Sequence, residues 1–421
     1  MPQISIKLLR KLREKLLQNS KKRNIVYVFP NKIVDFDIIG CYNSLVNQIK
    51  LKGGFVMDKK IKVGLIGAGP RGRYLFSVLI DNPDVEAYAV CDIDPKAIEE
   101  SKKMLKEKDI DIENIKFFLN DEEMYESDVD AIVVATHVST HADISVECLN
   151  AGKHVLCEIP NIASEEDARK LVKAVKANPN QKFMVAENCC FWAFADTWKK
   201  MYEDGLLGQV VFAEADYLHS HLGLTGERKE KKLTWRSYLS SITYLTHDLG
   251  PLLYILDDTC DEITGFQPNI NPIEDCHPAP PDGVAMIKTK KGTLIKIYVG
   301  FGVHHHTGHG YTMYGSKGSL ETQVWKGFKN NDTHAHLDSI PNTKTTIEIP
   351  VGAGYPGAGE DGHGGADPRM MKAFVDCIVN DTKPPLDIEF GINIALPGIY
   401  ADISAKHNGK MFKMPDLSYF E

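Results

Sequence analysis

A phenol and an imidazole stand three positions apart in the segment Tyr244-Leu245-Thr246-His247. Residues at this spacing share one face of a helix, so both side chains could act on one substrate. Histidine is the side chain that most often exchanges protons near neutral pH. Tyr244 and His247 are therefore predicted as a proton-transfer pair. The alternative is a histidine that packs in the core and does no chemistry.

Three further side chains have donors or acceptors suited to a polar substrate: Tyr217, His219 and Arg236. Val210 to Tyr217 alternates as a strand does, so Tyr217 and His219 would face the same side of a sheet. The guanidinium of Arg236 is a rigid fork of donors that could fix a hydroxyl or acyl group. The alternatives are a half-buried sheet face for the first two residues and a surface arginine for the third.

A histidine cluster is formed by His304, His305, His306 and His309. Strand alternation would put His304 and His306 on one face, where they could bind a metal together with His309 or His363. No spacing in the cluster is diagnostic of a ligand set, and a polar binding pocket would use the same imidazoles as hydrogen-bonding groups. The prediction is therefore that the site holds no metal.

A glycine-rich turn marks the element that would bind a cofactor. The apolar run Ile61 to Ile66 is a predicted strand, and it leads through Gly67, Gly69 and Gly72 (G-x-G-x-x-G) into a predicted helix. The first glycine permits the tight turn, the second allows a pyrophosphate to approach, and the third allows close packing of helix and strand. Asp92 ends the next predicted strand, where it could accept hydrogen bonds from ribose and repel a 2′-phosphate. This pattern predicts NAD binding; the alternative is a glycine-rich turn without a ligand.

The alternation of elements continues to residue 187. Further strands are predicted at Asp130 to Thr136, His154 to Cys157 and Phe183 to Ala186, with helices at 142–151 and 164–177. Strands joined by crossover helices form a parallel sheet whose ligands lie at the carboxyl ends of the strands. Thr136, Glu158 and Glu187 follow such ends. The predicted fold class is α/β, with an N-terminal doubly wound Rossmann sheet.

The order of these motifs resembles the Gfo/Idh/MocA family of oxidoreductases. The resemblance rests on the glycine-rich turn, Asp92, Ala135-Thr136 with His141, Glu158-x-Pro160 and Glu187-Asn188. It implies a C-terminal α/β domain with a large, mostly antiparallel sheet, and it adds Arg71, Thr136, His141, Glu158 and Asn188 to the cofactor site. Dehydrogenases of the family have Glu-Lys-Pro, whose lysine assists proton transfer. Here the lysine is replaced by Ile159, which cannot exchange a proton.

One branch of that family, the NAD-dependent glycosidases, also has an aliphatic residue at this position, as this chain does with Ile159. The branch includes α-N-acetylgalactosaminidases. Its other motifs correspond here to Ala186-Glu187-Asn188-Cys189-Cys190, Tyr217-Leu218-His219, Trp235-Arg236, Tyr244 to Pro251 and Gly362-His363-Gly364-Gly365-Ala366-Asp367. The branch has a tyrosine where this chain has Phe191. The resemblance places Glu158 near the nicotinamide and places Tyr217, His219, Arg236 and His363 near a sugar.

The resemblance implies hydride chemistry on a sugar or glycoside. In the glycosidase reaction a ring hydroxyl (at C3 in the family) is oxidised, the glycosidic substituent is eliminated, water adds, and the hydride returns. A redox-neutral cycle fits the missing lysine better than net oxidation does. A net NAD-dependent sugar dehydrogenase with His247 as its only base is one alternative. A non-catalytic NAD-binding sensor is another.

The charge of the chain is uneven. The formal net charge of the 421 residues is −8, but residues 1–56 have eleven basic and three acidic side chains. The remainder is acidic, which argues against nucleic-acid partners. Nine cysteines show no paired framework, and no signal peptide or membrane-spanning run is present, so a cytoplasmic protein without a membrane partner is expected. A homo-oligomer is expected from the family.

Residues 1–56, here called the basic leader, are interpreted as lying upstream of the true start of translation. Residues 4–17 form a basic amphipathic pattern that could indicate membrane attachment or targeting. Gly53-Gly54 before Met57 can be encoded by a ribosome-binding sequence, so we expect translation to start at Met57. The predicted organisation is a leader at 1–56, a Rossmann domain at 57–187 and a substrate domain at 188–421.

Overall fold

The computed structural model describes residues 60–220, 233–305, 307–322, 332–339, 345–348 and 361–420. The basic leader, His306 and residues 352–360 therefore lie outside the described residues. Residues Met57–Glu421 form one compact unit. That unit contains two sheets, and the start at Met57 and the boundary at residue 187 stay predictions.

The first sheet is parallel and six-stranded, in the order β3-β2-β1-β4-β5-β6. Its strands are β1 (Ile61–Ile66), β2 (Val85–Cys91), β3 (Lys116–Phe118), β4 (Ala131–Val134), β5 (His154–Cys157) and β6 (Phe183–Val185). Its helices are α1 (Pro70–Leu79), α2 (Pro95–Glu107), the short α3 (Glu122–Tyr125), α4 (Val138–Asn150) and α5 (Glu165–Ala177). This order is that of a doubly wound dinucleotide fold, which confirms the predicted fold class.

Local signals account for where these helices begin. Pro70 occupies the first turn of α1, where its fixed φ suits the helix and its missing N–H costs nothing. Ser164 caps α5 by accepting a hydrogen bond from the Asp167 amide at 3.1 Å, as the capping-box pattern predicts. α4 begins four residues before its predicted start, because the His137 side chain accepts a hydrogen bond from the Ser139 amide and caps the helix there.

Close packing at the glycine-rich turn depends on two glycines. Gly67 has φ +93, a conformation that side chains rarely adopt, and a Cβ there would lie 2.6 Å from the Ala135 backbone. A Cβ at Gly72 would lie 2.0 Å from the carbonyl oxygen of Gly67. These contacts bring the start of α1 against the ends of β1 and β4, where the cofactor edge of the sheet is formed.

The second sheet is nine-stranded and mostly antiparallel, in the order β14-β13-β12-β11-β7-β10-β9-β8-β15, with β7 and β10 parallel. Its strands are β7 (Val210–Leu218), β8 (Cys260–Phe266), β9 (Asp282–Thr289), β10 (Leu294–Gly300), β11 (Gly308–Gly315), β12 (Gly318–Glu321), β13 (Asp332–Leu337), β14 (Thr345–Glu348) and β15 (Phe412–Lys413). The helices of this part are α6 (Ala193–Glu203), α7 (Thr246–Leu256), α8 (Asp361–Val379) and α9 (Ile388–Lys406). This sheet confirms the predicted C-terminal architecture.

The alternation of buried and half-buried residues along β7 determines which of its side chains face the site. Ala213, Ala215 and Tyr217 are buried on one face, whereas Glu214 and Asp216 lie half-buried on the other. α7 packs against β7 and β11 on the buried face. The inner face of the sheet therefore carries Tyr217 towards α7, the helix that contains His247.

Two local features differ from what the sequence alone favours. Tyr244 and His247 would share a helix face only if the whole segment were one helix, but Tyr244 ends a 3₁₀ helix (Ser241–Tyr244) and His247 lies in the first turn of α7. The glycine-rich composition of residues 352–365 favours a loop, yet the described end of this stretch belongs to α8, which begins at Asp361. Glycine disfavours a helix from propensity alone. Here α8 packs against α1 and the 3₁₀ helix that follows β6, and these contacts override propensity.

No helix among the described residues combines the length and the apolar character that crossing a bilayer requires.

Candidate functional site

The candidate site lies where the carboxyl ends of the first sheet meet α7, α8 and the inner face of the second sheet. β5 ends before Glu158, and β6 is followed by Glu187 and Asn188. α8 packs against α1, so its first turns reach the glycine-rich end of the Rossmann sheet. Predicted site residues that are far apart in the sequence are therefore brought together at one edge of the first sheet.

A buried carboxylate holds the candidate base. Nδ1 of His247 lies 2.8 Å from Oε1 of Glu187, whose side chain is fully buried, whereas the His247 side chain is 18% exposed. An ionised carboxylate only accepts hydrogen bonds, so Nδ1 carries the proton and Nε2 can accept one. α7 passes close to Glu187 because Gly250 faces it; a Cβ there would lie 3.0 Å from Cγ of Glu187. This is the arrangement of an oriented general base.

Tyr217 packs beside that base. Its ring meets the His247 ring edge-on at 5.4 Å between centroids and stacks on the His309 ring at 4.2 Å. The Tyr217 hydroxyl lies 3.0 Å from Nδ1 of His219, so the two residues share a face as predicted. Burial and the neighbouring Tyr244 hydroxyl raise the pKa of Tyr217 above its usual value, which keeps its phenol protonated. Tyr217 is therefore suited to donate a hydrogen bond or a proton.

Tyr244 and Arg236 are neighbours in the candidate site. Tyr244 is buried, and its ring packs against Phe301 at 6.2 Å, as the Tyr217 ring does at 5.6 Å. Arg236 is exposed, and its guanidinium lies 5.1 Å from the Trp235 ring centroid and 6.0 Å from that of Tyr244. The exposed guanidinium thus lies beside two aromatic rings, at distances at which cation–π attraction acts.

A charged network joins the glycine-rich turn to α8. Nε of Arg71 donates to Oε1 of Glu158 at 2.7 Å, and a terminal nitrogen of Arg71 donates to Oδ1 of Asp367 at 3.2 Å. Asn188 donates to the same Asp367 oxygen at 3.0 Å. Burial acts to raise the pKa of Glu158, but Arg71 and the Ile159 amide outweigh it and leave the pKa lowered. Glu158 therefore stays ionised beside the predicted nicotinamide position.

His363 is fixed by the same network. Its Nδ1 lies 2.7 Å from Oδ2 of Asp367, and its carbonyl accepts a hydrogen bond from the Trp192 indole at 2.6 Å. The φ of His363 is +52, and such left-handed backbone at a residue other than glycine is a form of strain found at functional sites. Burial acts to raise the pKa of Asp367, but its bonds to His363 and Arg71 outweigh burial and lower the pKa well below its ordinary range.

The glycine-rich edge fits a dinucleotide. A Cβ placed on Gly69 would meet no protein atom within 4 Å, so the turn leaves open the space that a pyrophosphate would occupy. Asp92 follows β2, and its Oδ2 accepts a hydrogen bond from the Ala68 amide at 2.6 Å. The carboxylate is thereby held beside the turn, at the position from which ribose is bound. Thr136 follows β4 at the same edge.

His141 was predicted to touch the cofactor, and the structure places it in the interior. It is buried, with Nδ1 at 2.8 Å from the Pro160 carbonyl and Nε2 at 3.2 Å from the Thr136 carbonyl. Burial lowers the pKa of His141. The ring thus connects the segments after β4 and β5, and we assign it to positioning them.

Several residues of the site were not singled out by type and spacing. Glu187 was recognised as a strand-end residue and a motif member, but not as the partner that holds His247. Asp367 was recognised as part of a motif, but not as the residue that joins three side chains. Phe301 packs on both tyrosines and carries no sequence signal. A buried pair, His309 and Asp248, lies behind Tyr217, with His309 Nδ1 at 2.8 Å from the carboxylate.

The histidine cluster that was weighed as an alternative metal site does not come together among the described residues. His304 and His305 are exposed in a bend and His309 is buried on β11, so strand alternation does not apply. A different group lies together: the ligand atoms of Glu187, Cys189 and His247 are within 4.8 Å of one another. None of these three residues was expected to bind a metal, and their spacing in the sequence does not reveal the group.

A dinucleotide edge that faces acid–base side chains of a second sheet is the architecture of a two-domain nicotinamide-dependent oxidoreductase. Comparison with known families agrees. Residues 61–187 match the family model described as "Oxidoreductase family, NAD-binding Rossmann fold", and residues 196–321 match the GFO/IDH/MocA C-terminal domain. The chain belongs to the Gfo/Idh/MocA oxidoreductase family, and its cofactor is NAD.

Several proteins similar to this chain are named as glycosyl hydrolases. The glycosyl hydrolase family 109 protein 2 of Phocaeicola vulgatus is 32% identical over 205 residues, which are 46% of this chain and 48% of that protein. The glycosyl hydrolase family 109 protein of Solibacter usitatus is 22% identical over 86% of this chain and 90% of its own length. The aldose-aldose oxidoreductase of Caulobacter crescentus, solved with glycerol, shares the fold at a TM-score of 0.68 and 17% identity, covering 85% of this chain and all of that one. The Phocaeicola match thus spans about half of that relative.

Proposed function

We propose that the protein cleaves a glycoside without net redox change, by transient oxidation of a ring hydroxyl, elimination of the aglycone and hydration. The observation that carries the proposal is an oriented general base, His247 held by Glu187, in a chain that has Ile159 at the sequence position of a proton-exchanging lysine. Bound NAD supplies the hydride acceptor and later the hydride donor. The similarity to glycosyl hydrolase family 109 proteins supports this reading.

His247 is the group to which we assign the main proton transfers. With Nδ1–H donated to Glu187, the lone pair of Nε2 can take a proton from a hydroxyl or from an acidified C–H. The buried Glu187 carboxylate then stabilises the imidazolium until the proton is returned. Burial makes this pairing strong, since water cannot compete for the carboxylate.

The neighbouring side chains complete the proposed sugar site. Tyr217, kept protonated by burial, and Tyr244 are assigned to hydrogen bonds with ring hydroxyls or the leaving oxygen. His219 is fixed by the Tyr217 hydroxyl, and Arg236 stands at the rim. His363 enters from α8 and is held in place by Asp367.

The cofactor is assigned to the edge defined by the glycine-rich turn. Gly67, Gly69 and Gly72 shape the turn, the amides at the start of α1 face the pyrophosphate, and Asp92 takes the ribose. Glu158 stays ionised through Arg71, which also locks Asn188 and α8 onto this edge through Asp367. The two halves of the site are thereby aligned with each other.

The test is an assay of the purified protein with aryl glycosides and with free sugars. Release of aglycone without accumulation of NADH supports the proposal. Accumulation of NADH with free sugars would instead establish the net sugar dehydrogenase, and tight NAD binding with neither activity would establish a sensor.

Two variants connect this assay to the geometry. His247→Ala should abolish turnover and Glu187→Gln should lower kcat by about 10- to 150-fold, because a charged hydrogen bond is worth about 1.5–3 kcal/mol. Both should still bind NAD. The matched control is Glu165→Gln, a glutamate that accepts from Tyr400. Unchanged kcat in His247→Ala would reject the assignment.

We infer a sugar or glycoside as the small-molecule partner and a cytoplasmic location. The eight cysteines among the described residues are free thiols, and seven are buried, which suits a reducing compartment. The homo-oligomer expected from the family is tested by light scattering of the purified protein.

A further inference from the structure

The fully buried Glu187 has one oxygen that its hydrogen bonds do not explain. Oε1 accepts from the Cys189 amide at 3.2 Å and pairs with His247, whereas Oε2 is buried and has no hydrogen-bond partner among the described residues. A buried carboxylate oxygen without a partner is costly. Such an atom indicates a group that the fold accommodates but does not itself supply.

The thiol of Cys189 adds a second kind of ligand at the same place. Its Sγ lies 3.4 Å from Nδ1 of His247, the atom that also faces Glu187 at 2.8 Å. The three ligand atoms lie within 4.8 Å of one another, in a cluster of carboxylate, thiol and imidazole. This mixture of hard, borderline and soft donors is a set that Zn²⁺ accepts.

The separations come close to those of a tetrahedral site. With zinc–nitrogen and zinc–oxygen bonds of about 2.0–2.1 Å and a zinc–sulfur bond of about 2.3 Å, the ligand pairs would lie about 3.3 Å and about 3.6 Å apart. The observed separations are 2.8 Å for nitrogen to oxygen and 3.4 Å for nitrogen to sulfur. Opening the cluster by about half an ångström would therefore admit the ion.

We propose that Glu187, Cys189 and His247 form an inhibitory Zn²⁺ site within the candidate active site. The ion replaces the thiol proton, which leaves to solvent, and binds Nδ1 of the other neutral imidazole tautomer. The proton that Nδ1 donates to Glu187 in the metal-free protein is therefore lost from Nδ1 and replaced by one on Nε2, so the imidazole stays neutral. His247 can no longer accept a proton from substrate, so bound metal switches off the base.

Binding of the ion and inhibition by it are separate claims. Binding follows from the three ligands alone, whereas inhibition rests on the proposed function of His247. A matched control stands next to the cluster: Cys190 is also a buried thiol but does not belong to the three-residue group.

The experiment titrates the NAD-loaded protein with Zn²⁺ in a calorimeter, and with Co²⁺ to detect a thiolate-to-cobalt absorption band. Cys189→Ser should weaken Zn²⁺ binding by more than about 100-fold, since loss of an outer-shell partner alone typically costs 10–100-fold. It should also abolish the band, and Cys190→Ser should leave both unchanged. Thermal melts check that each variant is folded.

Equal Zn²⁺ affinity in the wild type and Cys189→Ser would overturn the proposal, since the ion would then be held elsewhere, for example by the exposed His304 and His305. Absence of a tight site in the wild type would overturn it as well. Aglycone release inhibited at the same Zn²⁺ concentration that fills the site would support the inhibitory role. A site that binds through Cys189 in a protein without glycosidase activity would uphold binding and reject the proposed function.

Discussion

Alanine at Gly69 should weaken NAD binding with little effect on stability, whereas alanine at Gly72 should destabilise the fold. The two residues are three positions apart in one turn, and each substitution adds a single methyl group. At Gly72 the methyl would lie 2.0 Å from the carbonyl oxygen of Gly67, where ordinary contacts are 3.4–4 Å. At Gly69 it would meet no protein atom within 4 Å.

The sizes of the two effects follow from these distances. Gly72→Ala forces α1 away from β1 by more than an ångström, and overpacking of this kind costs about 1–3 kcal/mol or more. Gly69 has φ −62 and ψ 173, which alanine adopts without strain, so the fold should change by less than about 1 kcal/mol. The Gly69 methyl would instead stand where the pyrophosphate approaches. Loss of one charge-assisted hydrogen bond weakens binding by about 10- to 150-fold.

Thermal melts and NAD titration calorimetry on the two variants give the answer. We expect Gly69→Ala to melt with the wild type and to bind NAD at least about 10-fold more weakly. We expect Gly72→Ala to melt several degrees lower. If Gly69→Ala binds NAD as the wild type does, the assignment of the cofactor to this turn is refuted.

Three more predictions concern single side chains. Asp92→Ser should weaken NAD binding and raise the relative affinity for NADP, measured by calorimetry with both cofactors. Tyr217→Phe should lower kcat by about 10-fold or more in the aryl glycoside assay, since the buried phenol loses its hydroxyl. Asp367→Asn should destabilise the protein near neutral pH. The folded pKa of Asp367 is lowered, so its contribution is present above about pH 4 and is lost on acidification. The difference in free energy of unfolding between wild type and variant should therefore shrink below pH 4.

The fold and the cofactor edge could be predicted because their signals are local. Gly67, Gly69 and Gly72 follow a buried strand, and Asp92 ends the next strand, so chain order alone places them at one edge. Ser164 likewise capped the helix that its pattern predicts. The second sheet was expected only from the family resemblance, because the periodicity of a sequence does not give the order of strands in a sheet.

The contacts of the site could not be predicted because they join residues that are distant in sequence. Glu187 reaches His247 across 60 positions, and Arg71 reaches Asp367 across 296. No spacing rule connects such pairs. The first turn of α8 was missed for the same reason, since its glycines oppose a helix locally while the bonds of Asp367 hold it.

The most direct test of the central claim is the reaction of an aryl glycoside in D₂O with the NAD-loaded protein. Elimination removes a carbon-bound hydrogen next to the oxidised position, and a solvent deuteron replaces it when water adds back. The account predicts that the released sugar carries one non-exchangeable deuterium, detected by mass spectrometry and NMR, with no net NADH formed. A released sugar without carbon-bound deuterium would contradict it.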